Sequence, residues 1–268
     1  MQKINLDELK KVQLDVLNEF HNICINNNIK YSLGCGTLLG AIRHKGYIPW
    51  DDDIDVYLLR EEYEKFAKIY TSLTEGRYKF VSLETDKKWC HAYGKFYDSE
   101  TMLIEPKTRY EPNIGINIDI FPLDNVPDSE SDWKKYNKKR KFLQLLLTSK
   151  ITKIRKDRSF AKNCFIMFLK LIAIGVSARR LGEMASKYAQ KYDGVDTSRV
   201  FETVQGIYIK SPFRVSCIEE VQLHQFEDKC FYIMSGYDEY LTASYGDYMT
   251  LPPVDKRRTH HFVDAYWL

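Results

Sequence analysis

Four of the five residues from Asp51 to Asp55 are aspartates, and the interruption, Ile54, is strongly apolar. Carboxylates at that density repel one another wherever water is partly excluded. The segment therefore either stays in solvent as an acidic turn or folds around a neutralising cation. Its setting favours the second outcome, because Pro49 and Trp50 precede the acids and Val56 follows them. The alternation Asp53-Ile54-Asp55-Val56 has the period of a half-buried strand, which puts Asp53 and Asp55 on one face and turns Ile54 and Val56 to the core. Two carboxylates on one face converge on a point, and hard oxygen ligands of this kind suit Mg²⁺ or Mn²⁺, with substrate phosphates completing the shell. Asp51 has the parity of Asp53 and Asp55 but precedes the strand, while Asp52 points elsewhere. Both are read as groups that order the loop and support the ligands, with direct ligation as the alternative.

Two further parts belong with this strand. Upstream, Lys30 to Leu33 reads as a short strand, Gly34-Cys35-Gly36 as a turn, and Thr37 to Arg43 as a helix with Thr37 at its N-cap. The amides of Gly36, Thr37 and Leu38 at that helix start can receive a phosphate. Downstream, Ile114 to Phe121 reads as a strand in which Asp119, between Ile118 and Ile120, is a third acid emerging from a buried sheet. Arg43, followed by His44 and Lys45, suits either the negative end of its helix or a phosphate. Lys95, in a strand from His91 to Tyr97, shares a face with Tyr93 and is a second phosphate-binding candidate, an exposed lysine being the alternative.

Around these parts the chain is mixed α/β. Residues 5 to 25 have the spacing of an amphipathic helix opened by a capping box of Asn5 and Glu8. Arg60 to Leu73 continues as a helix and Tyr78 to Leu83 as a strand. Residues 1–128 form the core with the metal site, 129–195 a basic helical insertion, and 196–268 a return to short strands that complete the pocket, all within one domain. In the insertion, residues 134 to 158 hold eleven Lys or Arg against one acid, Asp157, so that with a net charge of +3 the remainder carries 3 − 10 = −7. A fold-wide nucleic-acid footprint is thereby excluded. The six cysteines have no CxxC pair or zinc spacing, as fits a reducing cytosol. No signal-peptide core or membrane-spanning apolar run is seen, and the run from Cys164 to Val176 is expected to be core or a membrane-facing groove.

A glycine-threonine helix start, a DxD strand and a third acid on a later strand match the plan of the nucleotidyltransferase fold. The stretch GCGTLLGAIRHKGYIPWDDDIDV (residues 34–56) closely resembles the signature of the LicD family of phosphocholine transferases, to which fukutin and fukutin-related protein are related. NIDIFPLD, and YGDYMTLPP with the following His260, are similar to the family's second and third blocks. The resemblance spans roughly residues 5 to 125 and 225 to 261 and implies a mixed α/β nucleotidyltransferase-like core flanked by helices. It implies transfer of a phospho-alcohol, phosphocholine first, from a CDP-linked donor to a hydroxyl of a cell-surface glycan such as lipopolysaccharide or teichoic acid, or of its lipid-linked precursor, with release of CMP. On that reading Asp53 and Asp55 hold the metal, Asp119 is a further ligand or the base, and Gly36, Thr37, Arg43, Lys95 and His260 bind substrate. The protein is expected in the cytoplasm, with peripheral contact to anionic lipid at the inner membrane face through the basic insertion. The alternatives are a nucleotidyltransferase acting on a nucleoside triphosphate, a metal-dependent glycosyltransferase, and a non-catalytic glycan- or choline-binding module.

Overall fold

Asn5 opens the first long helix: its side chain accepts the Glu8 N–H while the Glu8 carboxylate accepts the Asn5 N–H, the reciprocal box that the spacing predicts. In the computed structural model, which describes residues 1–72, 76–104, 114–205, 211–257 and 264–268, strand β1 (Gln2–Ile4) leads into this helix, α1 (Leu6–Asn26). Then follow β2 (Ser32–Leu33), α2 (Cys35–His44), β3 (Asp55–Leu59), α3 (Arg60–Ser72), β4 (Tyr78–Val81), β5 (Gly94–Asp98), β6 (Thr101–Ile104) and β7 (Asn117–Val126). The helices α4 (Glu130–Ile151), α5 (Phe160–Ile172) and α6 (Ala178–Ala189) come next. The chain returns through β8 (Arg199–Phe201), β9 (Phe213–Arg214), α7 (Ser216–Glu219), β10 (Val221–Phe226), β11 (Lys229–Met234), α8 (Tyr237–Tyr245) and β12 (Asp264–Trp267).

The main sheet has the order β2-β3-β7-β5-β4, with β8 paired to the far half of β7 and β9 paired to β8. Strands β3 and β7 run parallel and the other pairs antiparallel. This is a mixed sheet, and α1 and α3 pack against it. Strand β7 is central because Ile118 and Ile120 on one face and Phe121 on the other are buried, so both faces are covered. Below the lower half of β7, Arg60 donates to Asp124 at 2.7 Å, and Asp124 also accepts the Thr203 hydroxyl; all three side chains are buried.

A second, smaller core holds α4, α5 and α6 together around Leu146, Leu147, Leu169 and Leu181 and takes in Cys90 from the β4–β5 connection. Gly182 permits this approach, since a Cβ there would collide with the Cys90 carbonyl. The lobe is thus tied to the segment that runs into β5.

Several local expectations are corrected. Helix α2 begins at Cys35 with Gly34 as its cap, so Thr37 is inside the first turn and does not cap it. Strand β3 begins at Asp55, which leaves Asp53 in the preceding loop. Strand β5 begins at Gly94 and β7 at Asn117, later than the apolar patterns indicated. The apolar run 164–176 buries only Leu169 and Ala173. The pattern from Val200 to Ile209 also predicts a strand; the strand seen there is Arg199–Phe201, and residues 206–209 lie outside the described ones.

Candidate active site

The sheet register places the chemistry in one row. Asp55 on β3 lies opposite Asp119 on β7, and Asp119 lies opposite Lys95 on β5. Residues in register on neighbouring strands point to the same face, so two carboxylates and an ammonium stand side by side. Lys95 Nζ is 2.9 Å from Asp119 Oδ1 and donates to Asn117 Oδ1 at 3.2 Å. The row is closed on its other side by Gly34, whose N–H donates to the Asp55 carbonyl at 2.8 Å.

The loop before β3 brings the remaining acids over this row. One carboxylate oxygen each of Asp51, Asp52 and Asp53 lies within 4.8 Å of the other two. Asp55 is buried, and its carboxyl is pushed well above the usual carboxylate range, first by burial and then by the charges of Asp53, Asp119 and Asp51. Two groupings therefore overlap. Asp51 and Asp53 belong to both, whereas Asp52, which is buried, belongs to the first. Its own backbone carbonyl is held by Gln13 Nε2 at 3.0 Å. The charges of Asp51, Asp53 and Asp119 all act on the Asp55 carboxyl, and Asp119 is its register neighbour. Clustered carboxylates, one of them buried, have the oxygen-donor chemistry that could hold a hard divalent cation such as Mg²⁺ or Mn²⁺.

Helix α2 supplies the wall. A Cβ on Gly36 would lie 2.7 Å from Asp51 Oδ2, so glycine is what lets the acid reach the helix start. Thr37 Oγ1 accepts the Asp55 N–H at 2.9 Å and locks the helix to β3. The Leu38 N–H is taken by the Gly34 carbonyl at 2.8 Å, which leaves Gly36 and Thr37 as the candidate phosphate donors. Beneath the turn, Cys35 has φ 43°, a left-handed conformation rare outside glycine. Its thiol meets the Tyr57 hydroxyl at 2.8 Å, and Tyr57 meets Tyr240 at 3.2 Å. Arg43 Nη1 donates to the Tyr248 carbonyl at 2.8 Å, tying the end of α2 to the segment after α8. At the end of α8, Tyr245 is raised well above the ordinary phenol range, chiefly by burial, then by Tyr240 and Cys35 and by the charges of Asp55 and Asp51. Arg257 lies over the Trp50 ring at 5.4 Å. On the Lys95 side, His91 packs between Trp89 and Tyr93 at ring distances of 4.9 and 5.1 Å. Burial and the Lys95 ammonium push its imidazole down to about 3.

A family model described as LicD/FKTN/FKRP, nucleotidyltransferase domain, matches residues 28–154, from β2 through α4. The lipopolysaccharide cholinephosphotransferase LicD of Haemophilus influenzae is 34% identical over 270 residues, covering 100% of both chains. This chain belongs to the LicD family. Two uncharacterised Rickettsia proteins are partial relatives: one of Rickettsia typhi is 27% identical over 51% of each chain, and one of Rickettsia prowazekii is 40% identical over 63 residues, 23% of this chain and 24% of its own.

Within this LicD-family site the structure assembles Asp53, Asp55, Asp119, Lys95, Gly36 and Thr37. Arg43 is at the far end of α2, where it donates to the Tyr248 carbonyl, and His260 lies outside the described residues. Sequence reading passed over Asn117, although its parity with Asp119 on one strand was visible. It also passed over Gln13, a polar residue on the buried stripe of α1. Besides Asp52, Gln13 reaches the Asn117 carbonyl at 3.4 Å and so joins the acidic loop to β7. Tyr245 opens the YGDYMTLPP block that the sequence marks, whereas His91 gave no site signal there, because it is brought beside Lys95 and the rings of Trp89 and Tyr93 only by the fold.

Proposed function

We propose that the chain moves phosphocholine from CDP-choline to a hydroxyl of a cell-surface glycan or of its lipid-linked precursor, releasing CMP in a reaction that depends on Mg²⁺ or Mn²⁺. The protein is a transferase, and its full-length relative carries the name of a lipopolysaccharide cholinephosphotransferase. The observation that carries the reading is the row of Asp55, Asp119 and Lys95 beneath Asp51 and Asp53. That row offers a cation-binding carboxylate cluster next to a fixed ammonium, which is what a diphosphate and its counter-ion require.

Asp53 and Asp55, with Asp51 beside them, would hold the metal, which would screen the diphosphate oxygens and the charge developing on CMP. The residues do the rest. The acceptor oxygen forms a bond to the phosphorus bearing choline, and the bond from that phosphorus to the CMP oxygen breaks. Asp119, oriented by Lys95, takes the hydroxyl proton. Lys95 and the first-turn amides of α2 hold phosphate oxygens from opposite ends of the row. Thr37 and Gln13 keep β3 and the acidic loop in register with β7.

The nucleotidyltransferase description of the matching domain favours one second reading, attack on a nucleoside triphosphate with loss of pyrophosphate. Incubating the protein with Mg²⁺, a glycan acceptor and either labelled CDP-choline or labelled CTP separates the two. CMP from CDP-choline supports phosphocholine transfer; turnover of CTP, with no CMP from any CDP-alcohol, would overturn it.

A further inference from the structure

Helix α5 is the least buried apolar helix of the described chain. Only Leu169 among its residues is buried, whereas Phe160 is 84% exposed, Leu171 63%, Phe168 58%, Met167 55% and Phe165 52%. A scattered surface phenylalanine is ordinary, but a contiguous cluster of this size marks an interaction surface. The cluster is also periodic. Phe160, Cys164, Met167, Phe168 and Leu171 recur at i, i+4, i+7, i+8 and i+11, and Phe165 and Ile172 widen the stripe to an arc of roughly 160°. Leu169 and Ala173 on the opposite side anchor the helix to the α4–α6 lobe. The apolar arc therefore points away from the protein.

The charge around it says what covers it. From residue 133 to 182 one acid, Asp157, stands against fifteen Lys or Arg, and Asp157 is already bound by Arg155. On α4 the exposed Lys134, Lys138 and Lys141 continue the stripe that includes Leu145. Between α4 and α5 is a groove of ≈ 490 Å³ with Leu145, Phe165 and Leu169 along it and Arg158 and Lys162 at its edge. A second copy of this face would meet like charge with like charge, which disfavours self-association through it. An anionic bilayer satisfies both requirements, because acyl chains receive the arc while headgroup phosphates meet the basic rim.

We infer that α5 is an interfacial anchor that seats the protein on an anionic lipid bilayer, its axis in the membrane plane. No described helix is long and apolar enough to cross a membrane, so the contact is with one leaflet. The lobe is coupled to the reaction centre. Arg179 on α6 donates to the carbonyls of Leu83 and Asp86, and Cys90 is built into the lobe's core. The same segment continues through His91 to Lys95. A docked lobe therefore holds the acidic row at a fixed distance from the lipid surface, where a lipid-linked acceptor would present its hydroxyl. The anchoring itself does not depend on the catalytic reading.

The test is co-sedimentation of the whole chain with vesicles of phosphatidylglycerol and phosphatidylcholine, compared with phosphatidylcholine alone. Binding is expected to the anionic vesicles and to weaken as salt rises. Phe168→Gln with Leu171→Gln lowers the partition coefficient at least tenfold, and Lys156→Glu with Lys162→Glu removes the preference for anionic lipid. Thermal melts of both variants match the parent, because all four side chains are exposed. In a Cys230→Ser background, an environment-sensitive dye on the exposed Cys164 shifts to the blue when vesicles are added. Absence of binding to anionic vesicles overturns the proposal, as does binding that leaves the dye unshifted and survives Phe168→Gln/Leu171→Gln. A dimer in sedimentation equilibrium that this double variant dissolves, without vesicle binding, also overturns it and makes the face a contact between copies.

Discussion

Replacing Asp55 with asparagine separates the catalytic value of the acidic row from its cost to the fold. Neighbouring strands lie about 4.8 Å apart, so ionised carboxylates at Asp55 and Asp119 repel by ~3 kcal/mol at an effective dielectric near 20. Lys95 at 2.9 Å from Asp119 offsets part of this. Asp53 and Asp51 add to it. The net gain expected from Asp55→Asn in metal-free protein at pH 7.5 is about 1–3 kcal/mol, which for a chain of this size raises Tm by roughly 3–8 °C. The pH dependence has a definite sign. Asp55 is raised in the folded state, so between the ordinary carboxylate pKa and its folded value the native protein binds more protons than the unfolded one. Stability then falls as pH rises through that window. Asp55→Asn should flatten this fall, and the two proteins should converge near pH 4. Thermal denaturation in EDTA across pH, paired with turnover in Mg²⁺, reads both sides: the variant should be more stable without metal, gain nothing from Mg²⁺ and be inactive. A variant that is less stable than the parent in EDTA at neutral pH, or that retains turnover, refutes the account of the row.

Other substitutions probe its neighbours. Lys95→Met removes the ammonium from Asp119 and Asn117, and turnover should fall by roughly 10²-fold in steady-state assays. Gly36→Ala places a Cβ 2.7 Å from Asp51 Oδ2, against an ordinary contact of 3.4 Å or more. Turnover should drop about tenfold while the Tm moves by only a few degrees, since alanine returns up to ~1 kcal/mol of helix propensity. His91 is pushed down to about 3, so its stabilising contribution is present above pH 6.5 and is lost as pH falls toward 3. His91→Gln should make acid denaturation less steep over that interval. Arg60→Met leaves the fully buried Asp124 without its cation and should cost about 3–5 kcal/mol in chemical denaturation, without changing the kcat of the folded fraction.

The separate parts could be read along the chain: a capping box at Asn5, an apolar stripe on α1, a glycine turn before a helix, and an acid set between isoleucines. Each of these is a local pattern whose period or end signal is written within a few residues, and the conspicuous block from Gly34 to Val56 carried the family. Tertiary structure decided which parts meet. Asp55 and Asp119 are 64 residues apart, and nothing along the chain says that β3 and β7 pair in parallel with those two in register, or that antiparallel β5 completes the row with Lys95. The expectation that Asp53 and Asp55 share a strand missed because β3 starts only at Asp55, where Thr37 Oγ1 meets its N–H. Asp53 and Asp51 reach the site from the loop instead. Gln13 and Asn117 escaped notice because a buried polar side chain shows its purpose only beside its partner. The outward arc of α5 was hidden for the opposite reason: apolar periodicity announces a face that avoids water but not what will cover it, and only the packed lobe shows that the protein leaves it uncovered.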